Sequence, residues 1–382
     1  MARWRIVGGM LAVCLFLVGG CASFPDDGSR TWHDQVESSG ELGGPPTLDE
    51  PEPPADPSSG NAPPPTSSAP QQPAGCEDPD PQVVATCLSP VGAIAVLPDG
   101  FSALVAERTT GRVLKVQRGS APQLIATVPV DAAAGGLSGL VLSPSYAEDE
   151  LVYAYAATAD DERVLRIAPG EAPKPVLTGI PRGPGGALGV DAATGSLLVA
   201  TGDPDGAAGN PASLAGKVLR IDTLGRPTAG NPAGTAVYAS GLSNPQGMCT
   251  GTDGTTWVTD RAAGRDVLFR LGAGTLGTPA WSWPNRPGVA GCSVLGGALA
   301  IALTGTKSLF VLRPGQDGTF TGDPRTLLPD AYGRLAAAAA GPDGLLWLGT
   351  VNKDGAAGAL PKLSDDRVIR IQPPTGGGAS AA

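Results

Sequence analysis

The chain has 382 residues, with 36 acidic against 26 basic side chains and a formal net charge of −10. That balance argues against a partner gripped through neutralised phosphates, so a nucleic-acid ligand is excluded. With 56 glycines, 39 prolines and 4% aromatic residues, turns should be many and no extended helical domain is expected.

The first twenty residues read as an export signal. Arg3 and Arg5 are followed by an uncharged apolar run, Ile6 to Val18. A membrane-spanning helix needs roughly twenty residues, so this shorter run marks a cleaved signal peptide over 1–20. Small residues then lead to a cysteine, Val18-Gly19-Gly20-Cys21. The stretch resembles the lipobox of bacterial lipoproteins, in which that cysteine receives a diacylglyceryl group and becomes the new N-terminus. Cys21 is therefore the expected lipidation (palmitate) site. It should hold the protein on the extracytoplasmic face of the cell membrane, each buried methylene contributing about 0.8 kcal/mol.

Residues 21–75 read as a lipidated, disordered tether. Residues 22–75 hold twelve prolines and nearly no aliphatic residues, too little apolar surface to offset the entropy of ordering. Nine acids lie here (Asp26, Asp27, Asp34, Glu37, Glu41, Asp49, Glu50, Glu52 and Asp56) against Arg30, so most of the net charge belongs to the tether. The only histidine of the chain, His33, also lies here.

From 76 to 373 the pattern changes to short alternating strands. Cys76, Cys87, Cys249 and Cys292 make an even set, expected to form disulfides in an exported protein. Four cysteines allow three pairings. Cys76 with Cys87 closes a short loop at the domain entry, which leaves Cys249 with Cys292. A structural zinc site is not expected, because no CxxC or Cys/His cluster is present.

A repeat runs through this region. One half is a turn and an apolar strand, as in Pro98-Asp99-Gly100 before Ala103-Leu104-Val105-Ala106, and Pro342-Asp343-Gly344 before Leu345-Leu346-Trp347-Leu348. The other half is a strand with a basic edge. Its six copies begin at Arg112, Arg163, Lys217, Val267, Ser308 and Arg367. Six copies of short strands between Gly, Pro and Asp turns predict an all-β fold, a six-bladed β-propeller over 76–373. A tail, 374–382, should be disordered.

Several stretches resemble the glucose/sorbosone dehydrogenase family, propellers that use pyrroloquinoline quinone (PQQ) and calcium. They are Leu104 to Val116, Gly136 to Tyr146, Thr201-Gly202-Asp203, Gly216 to Asp222, Asn244-Pro245-Gln246-Gly247 and Trp283-Pro284, in family order. The lipobox, the tether, Pro287 to Cys292 and Thr350 to Lys353 are more similar still to mycobacterial lipoproteins of this fold. The resemblance implies sugar oxidation, with a histidine base in a His-x-Gly-Gly-x-Leu motif. The matching stretch here is Gly183-Pro184-Gly185-Gly186-Ala187-Leu188, with Gly183 in the base position.

The implied quinone clamp is also thinned. Family glutamines fall at Ala134 and Arg261, an arginine at Ser243, a second arginine at Ala336 and an aspartate at Val351. Asn244, Lys307 and Arg334 match cofactor-binding positions, and Arg261 offers a replacement charge. PQQ is a tricarboxylate, so losing arginines should weaken its binding. Asp203 matches an acid near the family's base and is the one candidate for a catalytic carboxylate. With Asn210, the turn Gly202-Asp203-Pro204-Asp205-Gly206 could hold calcium or could be only a turn.

The expectation is thus a lipid-anchored, monomeric envelope propeller that binds a protein or glycan without catalysis. The alternative is a PQQ-dependent aldose or sorbosone dehydrogenase with a rearranged site. A metal-dependent hydrolase would need Glu, Asn and Asp side chains converging in the channel, and the sequence offers no clear set.

Overall fold

The computed structural model describes residues 76–315, 319–356 and 361–373. The expected signal peptide, Cys21, the tether with His33 and the tail 374–382 lie outside these described residues.

Six antiparallel sheets form a six-bladed propeller. Blade 1 comprises Val91–Val96, Ser102–Glu107, Arg112–Gln117 and Gln123–Thr127. Blade 2 comprises Leu137–Leu142, Val152–Ala157, Glu162–Ile167 and Lys174–Ile180. Blade 3 comprises Gly186–Asp191, Ser196–Thr201, Lys217–Ile221 and Val237–Ser240, with a short fifth strand, Gly274–Thr275, added in parallel. Blade 4 comprises Pro245–Thr250, Thr256–Ala262, Arg265–Arg270 and Trp281–Trp283. Blade 5 comprises Val289–Leu295, Ala298–Leu303, Ser308–Leu312 and Arg325–Leu327. Blade 6 comprises Leu335–Ala340, Leu346–Thr350 and Val368–Ile371, and the early strand Val83–Ala85 completes it. The ring is therefore closed by pairing the start of the domain with its end.

The six basic-edged repeats of the sequence are the third strands of the six blades. The turn-and-apolar repeats are the second strands. Both are buried on two faces because each blade is sandwiched between neighbours, which favours continuous aliphatic runs. The core is accordingly six separate apolar clusters, one at each blade junction. At the junction of blades 4 and 5, Trp257, Trp281, Trp283, Phe310 and Phe320 pack edge-on or tilted.

The first strands are different. They line the axis, where six backbones converge, and they are rich in Gly and Ala. A Cβ at Gly92 would lie 2.3 Å from the Leu137 carbonyl oxygen, and one at Gly291 would lie 2.7 Å from that of Ala336. Only glycine permits such approach between neighbouring blades. Five of the six first strands also carry a register irregularity near their start. These starts, with the ends of the second strands, form one face of the ring.

Both expected disulfides are present, Cys76–Cys87 and Cys249–Cys292. The second joins the first strands of blades 4 and 5 across the channel wall. No helix among the described residues is long and apolar enough to cross a membrane.

Candidate functional site at the channel mouth

The first strands of all six blades enclose a cavity of about 260 Å³ along the axis. At the face where those strands begin, it narrows to a mouth of about 40 Å³. Arg108, Ser138, Gly186, Gln246, Arg261 and Thr304 line that mouth. No carboxylate is among the lining residues.

Arg108 and Arg261 stand at corresponding places in blades 1 and 4, at the ends of second strands. Each directly follows an acid, Glu107 or Asp260. Neighbouring side chains on a strand leave opposite faces, which separates each acid from its arginine. Arg108 Nε donates to the Gly135 carbonyl at 2.9 Å. Arg261 Nε donates to Val289 O at 2.8 Å, and its Nη2 to Gly288 O at 3.3 Å and Thr304 Oγ1 at 3.0 Å. Neither guanidinium forms an ion pair among the described residues. Burial pulls both below the usual arginine range; the charge of Asp354 on Arg108 and of Asp266 on Arg261 opposes this, and the charge of Arg334 adds to it on both.

The acids beside them serve the blade junctions. Glu107 accepts from the Ser89 N–H at 2.9 Å. Asp260 accepts from the N–H groups of Ser243 and Asn244. Asp266 accepts from Gly288 at 2.7 Å and Val289 at 3.1 Å. Glu162 accepts from Gly183 at 3.1 Å and from the hydroxyl of buried Tyr155. Burial pushes the Glu162 carboxyl up to about 7 and raises that of Asp260. In blade 6, burial pushes Asp366 up to about 6. Sequence reasoning does not single out these buried acids; the signal for them is an acid at a strand end inside an apolar repeat.

The loop in the base position is tightly packed. A Cβ at Gly183 would lie 3.0 Å from Pro204 Cδ and 3.1 Å from the Gly202 carbonyl carbon. Gly186, at φ +156°, lies against the Tyr155 ring, where a Cβ would come within 2.1 Å of Cε1.

The other positions singled out in the sequence fall on the same face but do not converge. Asp203 caps its own turn, its carboxylate accepting from Ala207 at 2.6 Å and Ala208 at 3.0 Å. In the same turn Asn210 Oδ1 accepts from Ala212 at 3.0 Å. Asn244 Oδ1 accepts from the Gln246 side-chain amide. Lys307, with φ 51°, pairs with Asp330 at 3.4 Å on the surface. Arg334 pairs with Asp354 at 2.8 Å. Lys307 and Arg334 share a separate cavity of about 340 Å³ with Tyr332, Asn352, Asp365 and Arg367. Ala336, Val351 and Arg261 line the mouth itself. Among the described residues, no group of three or more His, Cys, Asp or Glu is placed to hold a metal.

The three retained clamp positions do not form one quinone site. The mouth of about 40 Å³ has room for roughly three waters, against roughly 300 Å³ or more for a cofactor-sized ligand. The cavity of about 340 Å³ that is large enough is lined by Lys307 and Arg334 but not by Asn244. The retained clamp side chains are turned to the protein's own groups: Asn244 to Gln246, Lys307 to Asp330 and Arg334 to Asp354.

Comparison with known proteins accords with the geometry of the ring. Residues 89–285 match the family model for glucose/sorbosone dehydrogenase. The PQQ-bound aldose sugar dehydrogenase of Streptomyces coelicolor is 28% identical, with a TM-score of 0.70 over 76% of this chain and 96% of that one. A putative oxidoreductase (glucose dehydrogenase) of Thermus thermophilus is 30% identical, with a TM-score of 0.69 over 76% and 98%. The soluble aldose sugar dehydrogenase of Escherichia coli, at 22% identity and a TM-score of 0.64 over 75% and 98%, shares the fold. No curated protein matches the sequence.

Proposed function

Because this chain belongs to the glucose/sorbosone dehydrogenase family, we propose that it is a propeller of that family that has given up sugar oxidation and serves as a lipid-anchored binding module of the cell envelope. The observation that carries this reading is the base position. Abstracting a hydroxyl proton needs a side chain within hydrogen-bond reach of the substrate. Gly183 offers none, and a Cβ there would press on Pro204 Cδ at 3.0 Å and the Gly202 carbonyl carbon at 3.1 Å. Asp203, the other acid nearby, has its carboxylate engaged by two backbone N–H groups. The narrow mouth and the internally paired clamp residues point the same way.

The anchor rests on the sequence before residue 76. The signal, the lipobox ending at Cys21 and the acidic tether support attachment to the extracytoplasmic membrane face, as in the mycobacterial lipoproteins this chain resembles. The propeller would then present its mouth to a protein or glycan of the envelope as a monomer. Replacing Cys21 with Ala should abolish incorporation of a palmitate analogue and release the protein from the membrane fraction.

The competing reading, a PQQ-dependent aldose dehydrogenase, draws on the likeness to the PQQ-bound Streptomyces enzyme. Both are tested on the detergent-solubilised full chain supplied with PQQ and calcium. The binding-module reading expects no dye-linked oxidation of aldoses above the protein-free rate. Turnover that depends on PQQ would overturn it.

A further inference from the structure

We propose that the channel mouth is an oxyanion site, in which Arg108 and Arg261 together grip one carboxylate or phosphate group of a ligand. The inference deepens the binding-module reading and rests on it.

The argument begins with donors. A guanidinium carries five N–H bonds and no acceptor. Among the described residues, Arg108 uses only Nε, and Arg261 uses Nε and Nη2. Every acceptor they meet is neutral. Several other cations on this face are paired with acids: Arg112 with Glu107, Arg182 with Asp131, Arg334 with Asp354 and Arg367 with Asp78. Lys217 and Lys353 instead donate to the carbonyls of Ala208 and Leu88, outside the mouth. Two half-buried guanidiniums with no ion-pair partner among the described residues face one small cavity, with Asp354 and Asp266 acting on them only from beyond contact. That arrangement favours an anion.

Geometry sets the class of anion. A guanidinium edge matches the two oxygens of a carboxylate or phosphate. The mouth of about 40 Å³ admits such a group and little more. Ser138, whose hydroxyl has no partner among the described residues, adds a neutral donor at the rim. Gly92, Gly185 and Gly186 leave part of the wall bare of side chains, and Gln246, Thr304, Ala336 and Val351 are among the residues that line the rest. The rest of the ligand must therefore stay outside the ring, as a terminal acidic group of a glycan or peptide would.

The test uses the solubilised full chain, sodium acetate and sodium phosphate, with chloride holding ionic strength constant. Thermal unfolding midpoint is the readout. The proposal expects a saturable rise with acetate or phosphate beyond the chloride control. A rise with acetate alone assigns a carboxylate ligand, and a larger rise with phosphate a phosphorylated one. Arg108→Gln and Arg261→Gln should each weaken binding about tenfold or more, since each removes charge-assisted hydrogen bonds of about 1.5 kcal/mol or above. Arg265→Gln, on an exposed strand end, should leave it unchanged. Arg261 also ties blade 4 to blade 5, so Arg108→Gln decides the matter should Arg261→Gln fail to fold. No saturable rise, or an equal rise in Arg108→Gln, overturns the oxyanion site. Neither result touches the binding-module reading, which stands or falls on PQQ-dependent oxidation.

Discussion

The blade junctions and the channel mouth are made from neighbouring residues of the same strands, and they handle charge in opposite ways. At the junctions, Glu107, Glu162, Asp260 and Asp266 are buried, and each carboxylate is met by backbone N–H groups of the adjoining loop. At the mouth, Arg108 and Arg261 lie one residue beyond two of these acids and keep donors that the protein does not use. A buried acid whose oxygens are taken up by the protein's own donors serves the fold, because little remains for it to bind. A charge left partly unmet costs stability unless something from outside completes it.

The strongest way to sharpen that contrast is to loosen a junction. Replacing Cys249 and Cys292 together with Ser frees a link between residues 43 apart. Loop-closure entropy puts the loss at up to about 4 kcal/mol. For Cys76 and Cys87, 11 apart, the same relation gives about 3 kcal/mol. Urea unfolding under oxidising conditions checks both values and their order. A wall disulfide worth less than the entry disulfide would mean that blades 4 and 5 stay docked without it.

Next in size is Asp266→Ala. It strands the N–H groups of Gly288 and Val289, two hydrogen bonds to a charged acceptor, and should cost about 3 kcal/mol. An equilibrium unfolding shift under about 1 kcal/mol would demote Asp266 from a structural device to a coincidence of composition.

How much of this is legible in the sequence follows from the same physics. The second and third strands, such as Ala103 to Ala106 and Arg112 to Val116, stand out because burial on two faces demands aliphatic runs. The first strands do not, because the axis selects for small residues: Leu335–Ala340 is five alanines after a leucine and carries little hydrophobic signal. The glycine that the resemblance places at the family's base position, Gly183, is legible in the sequence, since a missing side chain needs no coordinates. The mouth is only half legible. Arg261 is marked by the resemblance, whereas Arg108 reads as part of a strand end. The doublets Glu107-Arg108 and Asp260-Arg261 carry the signal, but reading them requires knowing that blades 1 and 4 face each other across one channel. Asn244, Lys307 and Arg334 are grouped by family position; Lys307 and Arg334 do share a cavity, each paired with a nearby acid, while Asn244 is not among its lining residues.

The acids also make the junctions sensitive to pH. Glu162 is raised from 4.5 to about 7 and Asp366 from 3.8 to about 6, both chiefly by burial. The folded state therefore binds protons more tightly than the unfolded state in these windows. Their contribution is present in full below about pH 4 and is lost as pH rises through 6 to 7. Stability should decline over that interval by at most about 1.4 kcal/mol per unit for each group, then level off above pH 7. The paired substitutions Glu162→Gln and Asp366→Asn should flatten the profile in urea unfolding between pH 4.5 and 7.5. A slope unchanged by both would place the titration elsewhere.

The smallest expected effect belongs to Lys307, and it tests the mouth from outside. Its ammonium is 40% exposed and pairs with Asp330 at 3.4 Å, which is 67% exposed. Pairs of this kind contribute about 0–1 kcal/mol, so Lys307→Ala should shift the unfolding midpoint hardly at all. In a quinone clamp the same lysine would hold a carboxylate, and its loss would be felt in PQQ affinity. In the arrangement seen here it lies in the cavity beside Arg334, away from Arg108 and Arg261. Acetate and phosphate should therefore raise the midpoint of Lys307→Ala as much as that of the parent chain. A variant that lost the anion response while keeping its fold would move the site from the axis to the junction of blades 5 and 6.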